Sequence, residues 1–567
     1  MRIELPKRQP CAPRGAASQQ VGKMPSASLK VNLFHMENKG PNEYHDRLQK
    51  LKSLNEAGVI PYADSFERSH TCMEALEYGE SGGVRELDDL LKESKTKLKL
   101  SGRIMAMRTH GKICFASLQD YTGRLQICFM QDHLEKEVFK FLKKLDVADF
   151  IGVSGELFRT RHGEVTLLVD EFKLLSKALR PLPEKWHGLK DQEQLYRQRY
   201  LDTVMNRESS ERFIFRSNFV RALREFYWEE GFMEIESPVL ENIASGTTAK
   251  PFTTHHNALD IELYLRIAGG ELWHKMAVVG GFEKVFEIGK CFRNEGIDPS
   301  HLQEFTMVEH YACFWDYKMN MDFTEKMITH VLQKVLGTLK VTLMDRDGNE
   351  VEVDFSGPWP RKEFVKLIEE DCGINVLDFN DDAVGLKAEI KKKGIVIDDI
   401  EKLGYGNLVD SLYKKVSRPK LIQPCFITNH PLSTKPLARK NDDDPRLCDT
   451  FQLLVNTWEV VNAYSELVDP IDQRARLEGQ VMAKAGGDDE AMMMNEEYIL
   501  AMEHGMPCMS GFGMGIDRIV TLLTKQDNLK DSVLFPLMRP SEEARKKEAK
   551  LMEKARKQFK NNQKTNG

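Results

Sequence analysis

Residues Phe286–Tyr311 read FEIGKCFRNEGIDPSHLQEFTMVEHY, and the reading of this stretch decides the fold. Its first part alternates apolar and polar residues, as a strand does, and predicts Arg293 and Glu295 two apart on one face. A polar turn through Gly296–Ser300 follows, then a second strand-like run from Phe305 to Tyr311. An antiparallel pair joined by a loop bearing Arg, Glu, His and Phe suits a nucleotide. Arginine neutralises phosphate through its planar fork, an aromatic face stacks on the base, and a carboxylate orients the amino group of the base. Taken alone, the Arg and Glu fit an exposed strand ion pair equally well.

Two further blocks lie downstream. Gly511–Arg518 reads GFGMGIDR and runs into the apolar stretch Ile519–Leu523, which places the Arg at the opening of a helix. Its glycines permit close backbone approach. The block is no dinucleotide fingerprint, because no βαβ unit with a ribose-binding carboxylate follows it. In Trp458–Glu466, alternation sets Asn462, Tyr464 and Glu466 on one face of a strand. Such a polar face in an apolar segment needs a ligand, internal partners or water.

Working outward, Ser209–Glu230 reads as a long helix, and no strong linker interrupts 190–540. Arg180-Pro181-Leu182-Pro183 is a stiff junction. Before it, short alternating runs at Leu100–Met107, Lys112–Gln119, Arg124–Met130, Phe150–Phe158 and Glu164–Leu174 predict five strands. A helical stretch near Leu134–Leu145 precedes the fourth, which suggests an OB-type barrel. Tyr44, Leu48, Leu51 and Leu54 have helical spacing. The expected divisions are a disordered extension (1–42), a helical segment (43–96), an OB barrel (97–178), a linker (179–208), a catalytic domain (209–540) and a basic tail (541–567) that starts as a helix and frays.

The chain of 567 residues sets 81 Lys and Arg against 87 Asp and Glu, so no global basic field marks a nucleic-acid binder. No apolar run is long enough for a transmembrane helix, and no membrane partner is expected. The ten cysteines form no metal-ligand spacing, which points to free thiols in a reducing, cytoplasmic setting. Residues 1–35, with six basic residues and one acid, also fit an organelle-targeting segment.

Together the three blocks resemble the signature motifs of class II aminoacyl-tRNA synthetases. The first motif of that class looks like Ser209–Pro238, the second is FRNEG at Phe292–Gly296 with its loop to Phe305, and the third is GMGIDR at Gly513–Arg518. The barrel is similar to that of the aspartate/asparagine/lysine subgroup. Within it, the strings YRQRYLD, THHNALD, VGGFEKVFEIG, PLARKNDDDP and LFPLMRP resemble lysyl-tRNA synthetases. The resemblance implies an α+β fold, in which an OB-fold β-barrel is followed by an antiparallel-sheet catalytic domain flanked by helices. It also implies a homodimer, ATP and L-lysine as substrates, tRNA(Lys) as acceptor and Mg²⁺ as cofactor.

By that resemblance Arg293 and Arg518 are catalytic, and Arg293, Glu295, His301, Phe305, Glu459 and Arg518 hold ATP. Gly246, Glu271, Arg293, Glu309, Tyr311, Asn462, Tyr464 and Glu466 hold lysine, with Glu309, Tyr311 and Glu466 on its ε-ammonium. Charge argues the same way, since an acidic pocket attracts an ammonium and repels aspartate. Glu459 would hold Mg²⁺. Gln452 stands where the family has a second carboxylate, so that metal position is expected to be weak. One further departure is Ala268-Gly269-Gly270-Glu271-Leu272, a residue longer than the family's pattern, which is expected to displace Glu271. Arg108, Phe115, Gln126 and Glu171 sit where related barrels read the anticodon, although Phe115 also fits the barrel interior. Two other readings share these motifs: a ligase that attaches lysine to a protein or small molecule, and a non-catalytic RNA-binding relative.

Overall fold

The computed structural model describes residues 43–91, 97–183, 191–244, 246–247, 249–485 and 491–565. The extension expected over 1–42 lies outside the described residues, as does part of the linker expected over 179–208. The chain divides into two compact units, 1–182 and 183–567.

In the first unit, helices α1 (Glu43–Glu56) and α2 (Cys72–Glu80) precede five strands. Thr71 caps α2, accepting from the Glu74 N–H while the Glu74 carboxylate accepts from the Thr71 N–H. The strands β1 (Leu98–His110), β2 (Ile113–Gln119), β3 (Arg124–Met130), β4 (Phe150–Arg159) and β5 (Val165–Ser176) close into a barrel in the order β1-β2-β3-β5-β4. All five predicted strands are present. Alternation sends Leu100, Ile104, Leu118, Ile127, Val153 and Leu167 inside, all fully buried, and leaves the other face outward.

The second unit is built on an eight-stranded sheet. Its strands are β6 (Met233–Glu234), β7 (Lys284–Phe292), β8 (Glu304–Cys313), β9 (Arg361–Glu363), β10 (Cys425–Thr428), β11 (Thr450–Val455), β12 (Trp458–Ser465) and β13 (Met509–Gly515). The spatial order is β9-β10-β11-β12-β13-β8-β7-β6. The six central strands are antiparallel, and only the short edge strands pair in parallel. Helices α3 (Arg207–Glu229) and α5 (Tyr317–Leu336) pack together, and their apolar residues share one core with the sheet. On α5, Tyr317, Met321, Thr324, Met327, Ile328, Val331 and Leu332 recur at helical spacing and are buried. Between α3 and α5 in the chain lies α4 (Glu271–Val279), and α6 (Ile516–Leu523) follows β13 directly. A helical insertion over 364–416 carries its own apolar cluster.

The tail differs from expectation. A helix runs unbroken from Glu542 to Thr565, with the ion pairs Glu543–Lys547 and Glu553–Lys557 spaced four apart along its exposed surface.

Candidate active site

Strands β7 and β8 pair from Lys284–Ala312 to Phe292–Glu304, so the loop between them hangs from one end of the ladder. Here the structure corrects one expectation. The strand stops at Phe292, and Arg293 and Glu295 lie on the loop rather than on a strand face. The Arg293 N–H still bonds its in-register partner Gln303 O (2.9 Å), and the backbone leaves the ladder at the next residue, where the Asn294 N–H turns to Lys250 O (2.7 Å). The guanidinium is then set by two contacts. Its Nε donates to Ile267 O at 3.1 Å, and its Cζ stands 5.1 Å from the Phe305 ring centre.

Arg293, Glu295, His301, Phe305, Glu459 and Arg518 line one cavity. Arg518 is held by donating to Glu459 O at 3.0 Å, which ties the third block to the strand carrying Glu459. His301, half exposed, hydrogen-bonds Asp298 at 2.7 Å. Asp517 was not singled out from sequence. It accepts from the Thr306 N–H at 2.6 Å and pairs with Arg216 of α3 at 2.6 Å. It thereby ties the block Gly511–Arg518 to the block Phe286–Tyr311 and to the long helix α3.

The opposite end of the cavity is acidic and aromatic, lined by Gly246, Glu271, Glu309, Tyr311, Asn462 and Tyr464. The extra glycine does not remove Glu271 from this wall, contrary to expectation. Gly270 adopts φ +96° at the start of α4, where a Cβ would lie 2.0 Å from Ser237 Oγ. Gly269 donates its N–H to Glu309 Oε1 at 2.7 Å, and a Cβ on it would strike the Glu309 carboxyl carbon at 2.7 Å. Two glycines therefore absorb the insertion and bring the backbone against Glu309. Gly246 lies opposite with φ +93°, and a Cβ on it would stand 3.2 Å from the Glu271 Cβ.

Glu309 is the most informative group. It is buried, and its Oε2 has no hydrogen-bond partner among the described residues. Burial first, and the nearby Glu271 second, push its carboxyl up to about 8. An orphaned carboxylate oxygen in a cavity wall is costly without a cation to meet it.

Two predicted site residues are not on this wall. Glu466 is 1% exposed, because Lys275 from α4 covers it, with Nζ 2.5 Å from Glu466 Oε2 and 2.8 Å from Glu271 Oε1. The alternation with Asn462 and Tyr464 was legible, but the covering lysine was not. Gln452 lies behind the wall too, its amide oxygen 3.2 Å from His430 Nε2. Lys435, which sequence reasoning passed over, lines the cavity and donates to Asn462 Oδ1 at 2.8 Å.

For a divalent cation, Glu459 stands on the wall with the phosphate-end residues, and the described residues hold no group of three or more His, Cys, Asp or Glu side chains placed to bind a metal. That suits Mg²⁺ carried in largely by phosphate oxygens, with Glu459 as protein ligand. It does not suit a second, protein-held ion at Gln452.

On the barrel, Arg108 lies directly across from Phe115, and Gln126 across from Ser117 and Thr166. Gln126 donates to Thr166 Oγ1 at 2.9 Å. Phe115 is absent from the interior cluster and lies half-buried against a small outer one around Leu90 and Phe158. Glu171 is exposed, across from Ser154 of β4. Arg108, Phe115 and Gln126 thus share an outer face of the barrel.

An antiparallel sheet that cradles a nucleotide-type loop at one end of a cavity and a buried carboxylate at the other defines the class II aminoacyl-tRNA synthetase architecture. Comparison with known families agrees. Residues 191–539 match the class II tRNA synthetases (D, K and N), and residues 98–175 match the OB-fold nucleic acid binding domain of the tRNA anti-codon type. The chain belongs to the class II tRNA synthetase family of the D, K and N type, and is an ATP-dependent aminoacyl-tRNA ligase. Among similar proteins, the lysine–tRNA ligase of Carboxydothermus hydrogenoformans is 46% identical over 494 residues, covering 87% of this chain and 97% of the relative. The lysine–tRNA ligase of Staphylococcus haemolyticus is 44% identical with the same coverage. That of Bacillus cytotoxicus is 42% identical over 509 residues, covering 89% of this chain and 99% of the relative.

Proposed function

We propose that this chain is a lysine–tRNA ligase. It joins L-lysine to ATP as lysyl-adenylate with release of pyrophosphate, then esterifies the 3′ end of tRNA(Lys). The observation that carries the amino-acid assignment is the unpartnered, buried Glu309 Oε2 in a wall shared with Glu271, Tyr311 and Tyr464. Such a wall favours a long side chain ending in an ammonium and disfavours aspartate, whose carboxylate it would repel.

In this reading Arg293 binds the α-phosphate and the lysine carboxylate, bringing the reacting oxygen and phosphorus into line. Phe305 stacks the adenine, with Glu295 beside it, while His301 and Arg518 meet the outer phosphates. Gly246 and Glu271 hold the α-ammonium, Glu309 and Tyr311 the ε-ammonium, and Asn462 and Tyr464 complete the wall. Glu466 acts from behind, through its pair with Lys275. Bound Mg²⁺, held by Glu459, would neutralise phosphate charge. No step requires a protein nucleophile.

Arg108, Phe115, Gln126 and Glu171 form the anticodon-reading face, with Phe115 as the stacking platform. This supports tRNA as acceptor over a protein or small molecule. Exposure of Ile214, Val239 and Leu240 around the first motif supports a homodimer, and the free thiols of the cysteines among the described residues support a cytoplasmic location.

ATP–pyrophosphate exchange with each of the twenty amino acids tests the assignment. Exchange is expected with lysine alone. Exchange with aspartate or asparagine, or with none from folded protein, would overturn it.

A pH dependence follows from Glu309. Its carboxyl sits near 8 in the empty pocket, so it carries a proton at pH 6.5 and must lose it to pair with an ammonium. Lysine affinity is therefore expected to rise from pH 6.5 to 8, approaching about tenfold per pH unit at the acid end. Titration calorimetry in buffers of different ionisation enthalpy should show a proton released on binding, and a flat profile would contradict this role.

A further inference from the structure

Among the described residues, Arg293, Arg518 and Lys435 are the arginine and lysine side chains that line the cavity, and Lys435 alone comes from outside the three sequence blocks. It follows the turn Leu432–Thr434 beyond β10. Its backbone is pinned, since Lys435 O accepts from the Ala438 N–H at 3.2 Å and Leu437 O from the Leu467 N–H at 3.1 Å. Lys435 is half-buried and has no ion-pair partner among the described residues. Its ammonium donates to Asn462 Oδ1 at 2.8 Å.

That bond decides which way the Asn462 amide points. An ammonium offers donors only, so the amide oxygen must face it and the NH₂ group is turned away. Asn462 lines the cavity, and its Nδ2 has no hydrogen-bond partner among the described residues. Ammonium and amide therefore bring donors that lack an acceptor, which suits an anion. Neither neighbour across the sheet carries charge: Asn462 lies opposite Gln452 of β11, bonded to His430, and opposite Gly513 of β13.

Beyond Gly513 on the same row stands Glu309, with its unpartnered Oε2. The register Asn462–Gly513–Glu309 separates the backbones of the two polar groups by two strand spacings, about 10 Å. The glycine keeps the floor between them low, since a Cβ there would stand 3.1 Å from Met307 Cε. A ligand lying across Gly513, anionic at Lys435 and cationic at Glu309, satisfies both ends.

We propose that Lys435 is a specificity-determining residue that, together with the Asn462 amide it orients, receives the carboxylate of the amino-acid substrate, sharing it with Arg293. The inference rests on the lysine assignment and deepens it. Lysine carries an ammonium at each end, so an acidic wall alone cannot tell one end from the other. The carboxylate beside the α-ammonium marks the end to be joined to ATP, and Lys435 with Asn462 reads it.

The test compares L-lysine with L-lysinol, which keeps both ammonium groups but has a hydroxymethyl group in place of the carboxylate. Affinities for each, and for ATP, are measured on the full-length chain by calorimetry, with lysinol also measured as a competitor of lysine in pyrophosphate exchange. Lys435→Met keeps the apolar stem, removes the ammonium and strands no ion-pair partner among the described residues. Lysine affinity is expected to fall about 10- to 100-fold, the range for one charge-assisted hydrogen bond, with lysinol and ATP affinities changed by no more than about twofold. A merely structural lysine would weaken lysine and lysinol alike, and a phosphate-binding one would weaken ATP.

The proposal stands if the loss of lysine affinity exceeds the losses for lysinol and for ATP by at least about fivefold each, and a smaller excess over either overturns it. If Lys435→Met does not fold, Lys435→Gln, which also lacks the charge, is judged by the same criterion. Failure of the lysine assignment is distinct, since the unmodified chain would then bind no L-lysine.

Discussion

Replacing Arg293 by alanine is expected to abolish adenylate formation, slowing the single-turnover rate by about 10³-fold or more. The reason is the way the side chain is held. Nε is spent on Ile267 O and the guanidinium face on Phe305, which fixes the plane of the fork at the cavity end where the phosphates are proposed to sit. The terminal nitrogens have no hydrogen-bond partner among the described residues and are left for anionic oxygens. Preorganised donors of this kind act where charge develops, and no other residue can take over the same position. Arg293→Lys should recover only part of the rate, because an ammonium keeps the charge but loses the planar two-point contact. Rapid-quench measurement of labelled adenylate at saturating lysine and ATP decides the matter. More than a tenth of the parent rate in Arg293→Ala would remove Arg293 from the chemistry.

The second large effect is expected at the other end of the cavity. Glu309→Gln should weaken lysine binding by about 30- to 1,000-fold, the range for losing one buried charge-assisted contact of about 2–4 kcal/mol. ATP binding should change by less than threefold. The substitution keeps an oxygen for the Gly269 N–H, so the backbone against it has no reason to move. It removes only the charge and the free acceptor on Oε2. Calorimetry of each substrate alone separates the two affinities, and a lysine affinity within threefold of the parent would exclude Glu309 as an ammonium partner. The pH dependence of lysine binding should weaken in the same variant, since Glu309 no longer has a proton to give up.

Much of this molecule was legible in its residues because the signals are local. Period-two alternation gave each barrel strand, and the long helix read over Ser209–Glu230 is observed over Arg207–Glu229. The three motif blocks converge on one cavity because β8, β12 and β13 are adjacent in the sheet, an adjacency carried by the resemblance rather than by any single block. The end of β7 was misplaced by reading the alternation one turn too far. The hydrogen bond that takes the chain off the ladder runs from the Asn294 N–H to Lys250 O, which local patterning does not reveal.

The sequence by itself determined the fold class, the family and the set of polar residues from which the site is drawn. Alternation, helical spacing and motif order are properties of neighbouring residues, so the chain carries them openly. Tertiary structure alone decided which of those residues line the cavity. Glu466 and Gln452 passed every local test, yet one is covered by Lys275 and the other turned to His430. Glu309 and Glu271 reach the cavity because two glycines let the backbone close against them. Lys275 is 191 residues from Glu466 in the chain and 2.5 Å from it in space. Burial, ion pairing and the resulting charge of a pocket depend on such distances, and packing sets them.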